Sequence, residues 1–205
     1  MIATMHVPFV DLRAQHAPIS GELDRAVREV IARADFILGA AVERFEAEYA
    51  AFIGTRHAIG VATGLSAIEL ALGAFGVGAG DEVITAANTF IATVLAITAV
   101  GARPVLVDMD PSTYTIDPDA LAAAINSRTR AIVPVHLYGQ PVDLDAVLAV
   151  ARRHDLLVIE DAAQGPRRAI QGTAGGQLRP RRGVQLLSVE ESRRVRRRRN
   201  DHDRR

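Results

Sequence analysis

The apolar run Leu156-Leu157-Val158-Ile159 ends in Glu160-Asp161, and a side-chain amide, Gln164, follows three residues after the second acid. An acid at the carboxyl end of a buried strand can face a bound ligand. A carboxylate held against a pyridine nitrogen keeps that nitrogen protonated and makes the ring a better electron sink. Gln164 could then hydrogen-bond a neighbouring ring oxygen. The alternative for Asp161 is a helix cap. Phe90, in Ala87-Asn88-Thr89-Phe90, could stack on a planar ring; the alternative is core packing.

A turn at Thr63-Gly64 opens a helix through Leu65-Ser66-Ala67. A helix start presents unpaired backbone N–H groups, which suit a phosphate, and Ser66 could add its hydroxyl. A plain N-terminus capped by Thr63 or Ser66 explains the same residues. His136 and Tyr138, in His136-Leu137-Tyr138-Gly139-Gln140, could line the same cleft or be packed and satisfied. Asp108, Asp110 and Asp117 stand apart from histidines at metal-ligand spacing, so no metal is assigned.

These residues need a scaffold that brings strand ends together. Amphipathic helices are expected near 21–34 and 40–52, the first with Leu23, Val27, Val30 and Ile31 on one face. Strands are expected at 57–62, 82–85, 104–108, 131–136 and 156–159. Helices are expected from 64 to about 75 and over 90–100, 117–126 and 143–154, with Pro118 at a first helical position. Short apolar runs separated by helices imply an α/β fold with a mostly parallel sheet covered on both faces.

The 205 residues are 49% hydrophobic and 23% charged, which suits one large domain or part of one and excludes collagenous and wholly disordered chains. With no cysteine there is no disulfide framework or thiolate metal site. No run of 18 apolar residues and no signal-peptide pattern appears, so no membrane association and a cytoplasmic location are expected. The net charge of zero hides a split. Residues 1–164 carry 11 Arg against 20 Asp and Glu, a net of −9, whereas 165–205 carry 13 Arg against 4 acids, a net of +9. All 24 basic residues are arginine.

From about residue 6 to 164 the chain resembles the DegT/DnrJ/EryC1/StrS family. The resemblance is carried by Val7-Pro8-Phe9-Val10-Asp11-Leu12, Phe36-Ile37-Leu38-Gly39, Gly78-Ala79-Gly80-Asp81-Glu82-Val83-Ile84, Ala87-Asn88-Thr89-Phe90, Pro134-Val135-His136-Leu137-Tyr138-Gly139-Gln140 and Glu160-Asp161-Ala162-Ala163-Gln164. It implies an aspartate-aminotransferase-like (fold type I) large domain, incomplete here, and an enzyme lineage that uses pyridoxal 5′-phosphate to aminate keto-sugar nucleotides for amino-sugar biosynthesis. Glutamate is the implied donor and a homodimer the implied assembly. The resemblance puts the cofactor phosphate at Gly64, Leu65 and Ser66, the stacking aromatic at Phe90, the pyridine-nitrogen acid at Asp161 and the ring-hydroxyl contact at Gln164. The family usually has Thr where this chain has Leu65, so one hydroxyl contact is lost and the backbone donors remain.

The departure from the family is the lysine. Family members attach the cofactor through a lysine in a segment resembling FSFYPSKNLGAYGDGG, beyond the Glu160–Gln164 motif. This chain has no lysine anywhere, so no catalytic residue is assigned. Residues 1–164 are read as the N-terminal part of the large domain, and 165–205 as an Arg-rich, disordered tail translated out of frame. Each tail codon's last two bases can be joined to the first base of the next codon. Compatible codons then spell AHGARYKGRRAGSFG from Gly165 and FSFYPSKNLGAYGDGG from Val184, with the lysine in register at Glu190. The chain is therefore expected to be inactive as a transaminase and poorly soluble, because half a parallel sheet leaves an apolar edge uncovered. The other readings are a non-catalytic binder of a phosphate ligand or a partner chain, and non-specific nucleic-acid binding through the six arginines of 193–199. The tail lacks aromatics that would stack on bases, which makes nucleic acid the weaker partner.

Overall fold

The computed structural model describes residues 11–165 and the backbone of three short strands within 169–186. Residues 1–49 and 50–205 form two compact units. In the first, α1 (Leu12–His16) is capped by Asp11, whose Oδ1 accepts from the N–H of Ala14 at 3.0 Å. Next come α2 (Ser20–Arg33) and α3 (Ala40–Ile53), whose last four residues belong to the second unit. The left-handed Ala34 (φ 55°) ends α2. The expected apolar face forms on α2, with Leu23, Val27 and Ile31 exposed. On α3, Phe45 and Tyr49, one turn apart, stack with ring centroids 5.4 Å apart.

The second unit alternates helix and strand. Its elements are α4 (Gly64–Ala74), β1 (Glu82–Ala86), α5 (Ile91–Ala99), β2 (Arg103–Val107), α6 (Pro118–Ala124), β3 (Thr129–Val133), α7 (Leu144–Arg153), β4 (Leu157–Asp161), β5 (Ala169–Ile170), β6 (Thr173–Ala174) and β7 (Gly183–Leu186). Strands β1 to β4 with β7 form one sheet in the order β2-β1-β3-β4-β7, every pair parallel. The short β5 and β6 pair antiparallel.

Side chains alternate across a strand, and both faces of this sheet are covered. Ile84, Ala86, Val107, Ile132 and Val158 pack with Leu121 of α6 and Leu144, Val147 and Val150 of α7. Val83, Ala131, Val133, Leu157 and Ile159 pack on the opposite face with Ile68 and Leu72 of α4 and Ala96 and Ile97 of α5. This is why β1 and β4 are buried along their whole length and carry the short apolar runs Val83–Ile84 and Leu157–Ile159 without alternation. Asp117 and Asp143 cap α6 and α7 through their side chains. In the loop before β1, Gly76 and Gly80 adopt φ of +74° and +91°, a region that strains residues bearing a Cβ. Asp81 closes that loop by accepting from the N–H of Gly78 at 3.0 Å.

The expected strand at 57–62 does not form. A strand is stable only with a hydrogen-bonding neighbour. None of the described strands pairs with 57–62. Residues 57–62 instead run without regular structure, and Ile59 is 82% exposed. Apart from the strand backbone at β5, β6 and β7, the expected disorder of 165–205 lies outside the described residues, as does the arginine run 193–199.

Candidate active site

Parallel strands deliver their carboxyl ends to one edge of the sheet. The loops leaving that edge include 87–90 after β1, 134–140 after β3 and 162–164 after β4. A short connection joins the end of α4 to the start of β1, so α4 runs back along the sheet. Its 11 residues span about 16 Å, and the five of β1 span about 17 Å. The start of α4 therefore lies toward the same carboxyl edge.

Asp161 is the last residue of β4 and is 9% exposed. Its Oδ2 accepts from the Thr93 hydroxyl at 2.9 Å, and its Oδ1 accepts from the N–H of Ala163 at 3.2 Å. The second contact closes the turn after β4 and is not the helix cap weighed as the alternative, since no helix follows among the described residues; the first reaches across to α5. Phe90 stands at the N-cap of that helix with its side chain 66% exposed, so it is not a core residue. Thr93 ties the two together: its N–H donates to the Phe90 carbonyl at 3.1 Å while its hydroxyl holds Asp161.

Gln164 turns toward the loop after β3. Its Oε1 accepts from the N–H of Tyr138 at 2.6 Å. With the carbonyl engaged, the amide NH2 is the end left to donate, which suits an anionic or phenolic ring oxygen. Tyr138 has a left-handed φ of 53° and is 86% exposed. His136 does not line an open cleft. It is 1% exposed, its Nδ1 accepts from the N–H of Val142 at 3.1 Å, and its Nε2 lies 3.2 Å from Glu160 Oε2. Because Nδ1 accepts, the ring proton sits on Nε2, toward the carboxylate.

At the start of α4, Thr63 is the cap. Its Oγ1 accepts from the N–H of Ser66 at 3.1 Å and pairs with the Ser66 hydroxyl at 3.0 Å. The N–H groups of Gly64 and Leu65 have no hydrogen-bond partner among the described residues. The Leu65 side chain packs against the core face formed with α4 and α5, so Leu65 can offer a ligand only its backbone. Among the described residues no group of acids and histidines could hold a metal ion, and no helix is long and apolar enough to cross a membrane.

Sequence reasoning missed Thr93 and Glu160. Thr93 is a hydroxyl in the otherwise apolar first turns of α5, four residues after Thr89. A hydroxyl just before the helix cap and another one turn into the helix can meet, as these do at 3.0 Å, and that was a readable signal. Nothing in the sequence says which of the adjacent acids Glu160 and Asp161 faces His136.

The profile of the DegT/DnrJ/EryC1/StrS aminotransferase family matches residues 18–181. The chain belongs to this family. Among family members it is 47% identical over 161 residues to dTDP-3-amino-3,4,6-trideoxy-alpha-D-glucose transaminase of Streptomyces venezuelae, covering 78% of this chain and 42% of the relative. The crystal structure of S. venezuelae DesV superposes with a TM-score of 0.81 at 43% identity, covering 90% of this chain and 48% of that one. NtdA of Bacillus subtilis, solved with bound cofactor PMP, gives 0.75 at 38% identity, covering 78% and 37%. The fold is thus that of the pyridoxal-phosphate-dependent aminotransferases, and the chain spans about half the length of the relatives it matches.

Proposed function

We propose that this site holds pyridoxal 5′-phosphate by non-covalent contacts, and that the intact parent transfers an amino group from an amino acid, glutamate, to a keto-sugar nucleotide as a homodimer. The observation that carries the reading is the Asp161 carboxylate at the end of β4, joined through Thr93 to the helix that opens at exposed Phe90. The donor set suits the group. Phe90 offers a free aromatic face for a planar ring, and Asp161 has lone pairs left to accept from a pyridinium N–H. Gln164 presents an amide donor, and Gly64 and Leu65 present helix N–H groups to a phosphate. The names of relatives that act on dTDP sugars support the substrate class. When bound, the cofactor supplies an electron sink at the carbon bearing the amino group. The chain's own residues hold and orient it: Asp161 keeps the ring nitrogen protonated, Phe90 covers a ring face and the start of α4 neutralises the phosphate. With no lysine, this chain has no side-chain amine to anchor the cofactor or carry a proton, so it binds without turning over.

The test is a titration of the purified chain with pyridoxal phosphate and with pyridoxamine phosphate, followed by borohydride. The expected result is saturable binding, abolished by Asp161→Ala, with no reduced adduct on any side chain. A folded chain that binds neither compound overturns the reading.

We infer further that residues 165–205 are out-of-frame translation. What supports this is the offset spelling itself, which gives the family's lysine segment from Val184 with its lysine at position 190. Resequencing the gene through codons 160–170 and onward in the offset frame tests it. An offset frame that stops early, or encodes no second domain, rejects it.

A further inference from the structure

We propose that Thr93 is the positioning residue for Asp161, orienting its carboxylate toward the ring nitrogen through a one-way hydrogen-bond chain from Thr89. This rests on the cofactor reading above. A carboxylate only accepts, so the Thr93 hydroxyl must spend its single proton on Asp161 Oδ2, 2.9 Å away. The Thr89 hydroxyl lies 3.0 Å from the Thr93 hydroxyl, and geometry alone leaves the donor open. With the Thr93 proton committed to Asp161, Thr89 must donate to Thr93. The direction of the chain is thereby set from Thr89 through Thr93 to Asp161.

Burial makes the contact selective. Thr93 is 1% exposed and Asp161 9% exposed, so water does not readily replace the hydroxyl. The other described hydrogen bond to the carboxylate, from the N–H of Ala163 to Oδ1, comes from the same loop and moves with it. Among the described residues, Thr93 alone ties the carboxylate to a second element, the helix that begins at Phe90. The first turn of α5 therefore carries Phe90, the residue for the ring face, and through the Thr93 hydroxyl also holds Asp161, the residue for the ring edge.

The experiment uses the full chain and pyridoxamine 5′-phosphate labelled with 15N at the pyridine nitrogen. This probe carries no carbonyl to react with protein amines. The pH is set where the free probe is half protonated at that nitrogen. Binding is followed by fluorescence titration, ring protonation by the 15N chemical shift and folding by circular dichroism. With the unaltered chain the bound probe shows the protonated shift. Thr93→Val, close in shape but without the hydroxyl, binds roughly tenfold more weakly, the scale of one hydrogen bond to an ionised group, and moves the shift toward the unprotonated position. Thr93→Ser restores both. Thr89→Val, which removes only the second link, gives a smaller change in the same direction. A folded Thr93→Val chain with unchanged shift and affinity overturns the proposal and leaves the cofactor reading standing. If Thr93→Val does not fold, a Thr93→Ser or Thr89→Val chain decides: a shift that Thr93→Ser fails to preserve, or that Thr89→Val leaves unmoved, overturns the directed chain. No binding by the unaltered chain overturns both readings together.

Discussion

Gln164 accepts from the backbone N–H of Tyr138 at 2.6 Å, so the loop that leaves β4 is latched to the loop that leaves β3. The latch uses the carbonyl end of the amide and turns the NH2 end outward. It also holds Tyr138 at φ 53°, a backbone region that costs a non-glycine residue about 1 kcal/mol or more.

Gln164→Glu keeps an acceptor for Tyr138 but removes the amide donor. It is expected to weaken pyridoxamine phosphate binding while amide hydrogen exchange at Tyr138 stays slow. Gln164→Ala is expected to weaken binding and speed that exchange as well. Exchange mass spectrometry beside a binding titration separates the two. Unchanged affinity in Gln164→Glu would show that the amide does not face the ligand.

The buried His136 and Glu160 pair secures the same edge of the sheet from beneath. His136→Phe takes one partner from the N–H of Val142 and one from Glu160. Loss of two hydrogen-bond partners in a buried site is expected to cost about 2–4 kcal/mol. Urea denaturation of the two chains measures it. A loss below about 0.5 kcal/mol would mean that the pair is not formed in solution.

Glu82 lies at the opposite, amino-terminal edge. Its Oε2 accepts from Asn126 at 2.7 Å and its Oε1 from Arg128 Nε at 2.9 Å, with Arg103 more distant at 3.6 Å. The hydrogen bond from Asn126, then that from Arg128, holds the carboxyl below its ordinary value of 4.5. A depressed folded pKa contributes stability that is present above the unfolded value and is lost as pH falls through the folded one. Glu82→Gln is therefore expected to be less stable than the unaltered chain at pH 7. The gap should narrow as pH drops below about 4.5, because a protonated Glu82 resembles glutamine. Denaturation midpoints over pH 3–7 check this; a gap that does not change with pH would contradict it.

Ile59 tests the segment 57–62, which has no regular structure. At 82% exposure, Ile59→Asn is expected to change stability by less than about 0.5 kcal/mol. Leu72→Ala, at a fully buried position, is expected to cost about 2–5 kcal/mol. If Ile59→Asn proves as damaging as Leu72→Ala, then 57–62 is a buried strand after all.

The order of helices and strands in residues 82–161 was legible because each element carries its own instructions. The apolar runs Val83–Ile84 and Leu157–Ile159 are buried on both faces, and Asp117 with Pro118 marks a helix start on the page. Such signals are local in the chain. The candidate site was legible in part for the same reason: Asp161, Gln164, Phe90 and Gly64–Ser66 sit at element ends, and a parallel sheet gathers the carboxyl ends of its strands wherever it forms.

Whether a segment becomes a strand, and what a side chain touches, is decided by the partner. His57–Ala62 has strand-like composition, but among the described residues no strand pairs with it, and a ladder of hydrogen bonds needs two strands. Thr93 and Asp161 are 68 residues apart in sequence and 2.9 Å apart in space. Only the packing of α5 against the sheet brings that hydroxyl to that carboxylate. The amino-acid order alone determined the family, the alternation of elements and the absence of a lysine. The tertiary structure alone decided that His136 is buried against Glu160, that Leu65 turns into the core and that the carboxylate of Asp161 is held from a helix, because each is a contact between elements whose spacing the chain does not encode locally.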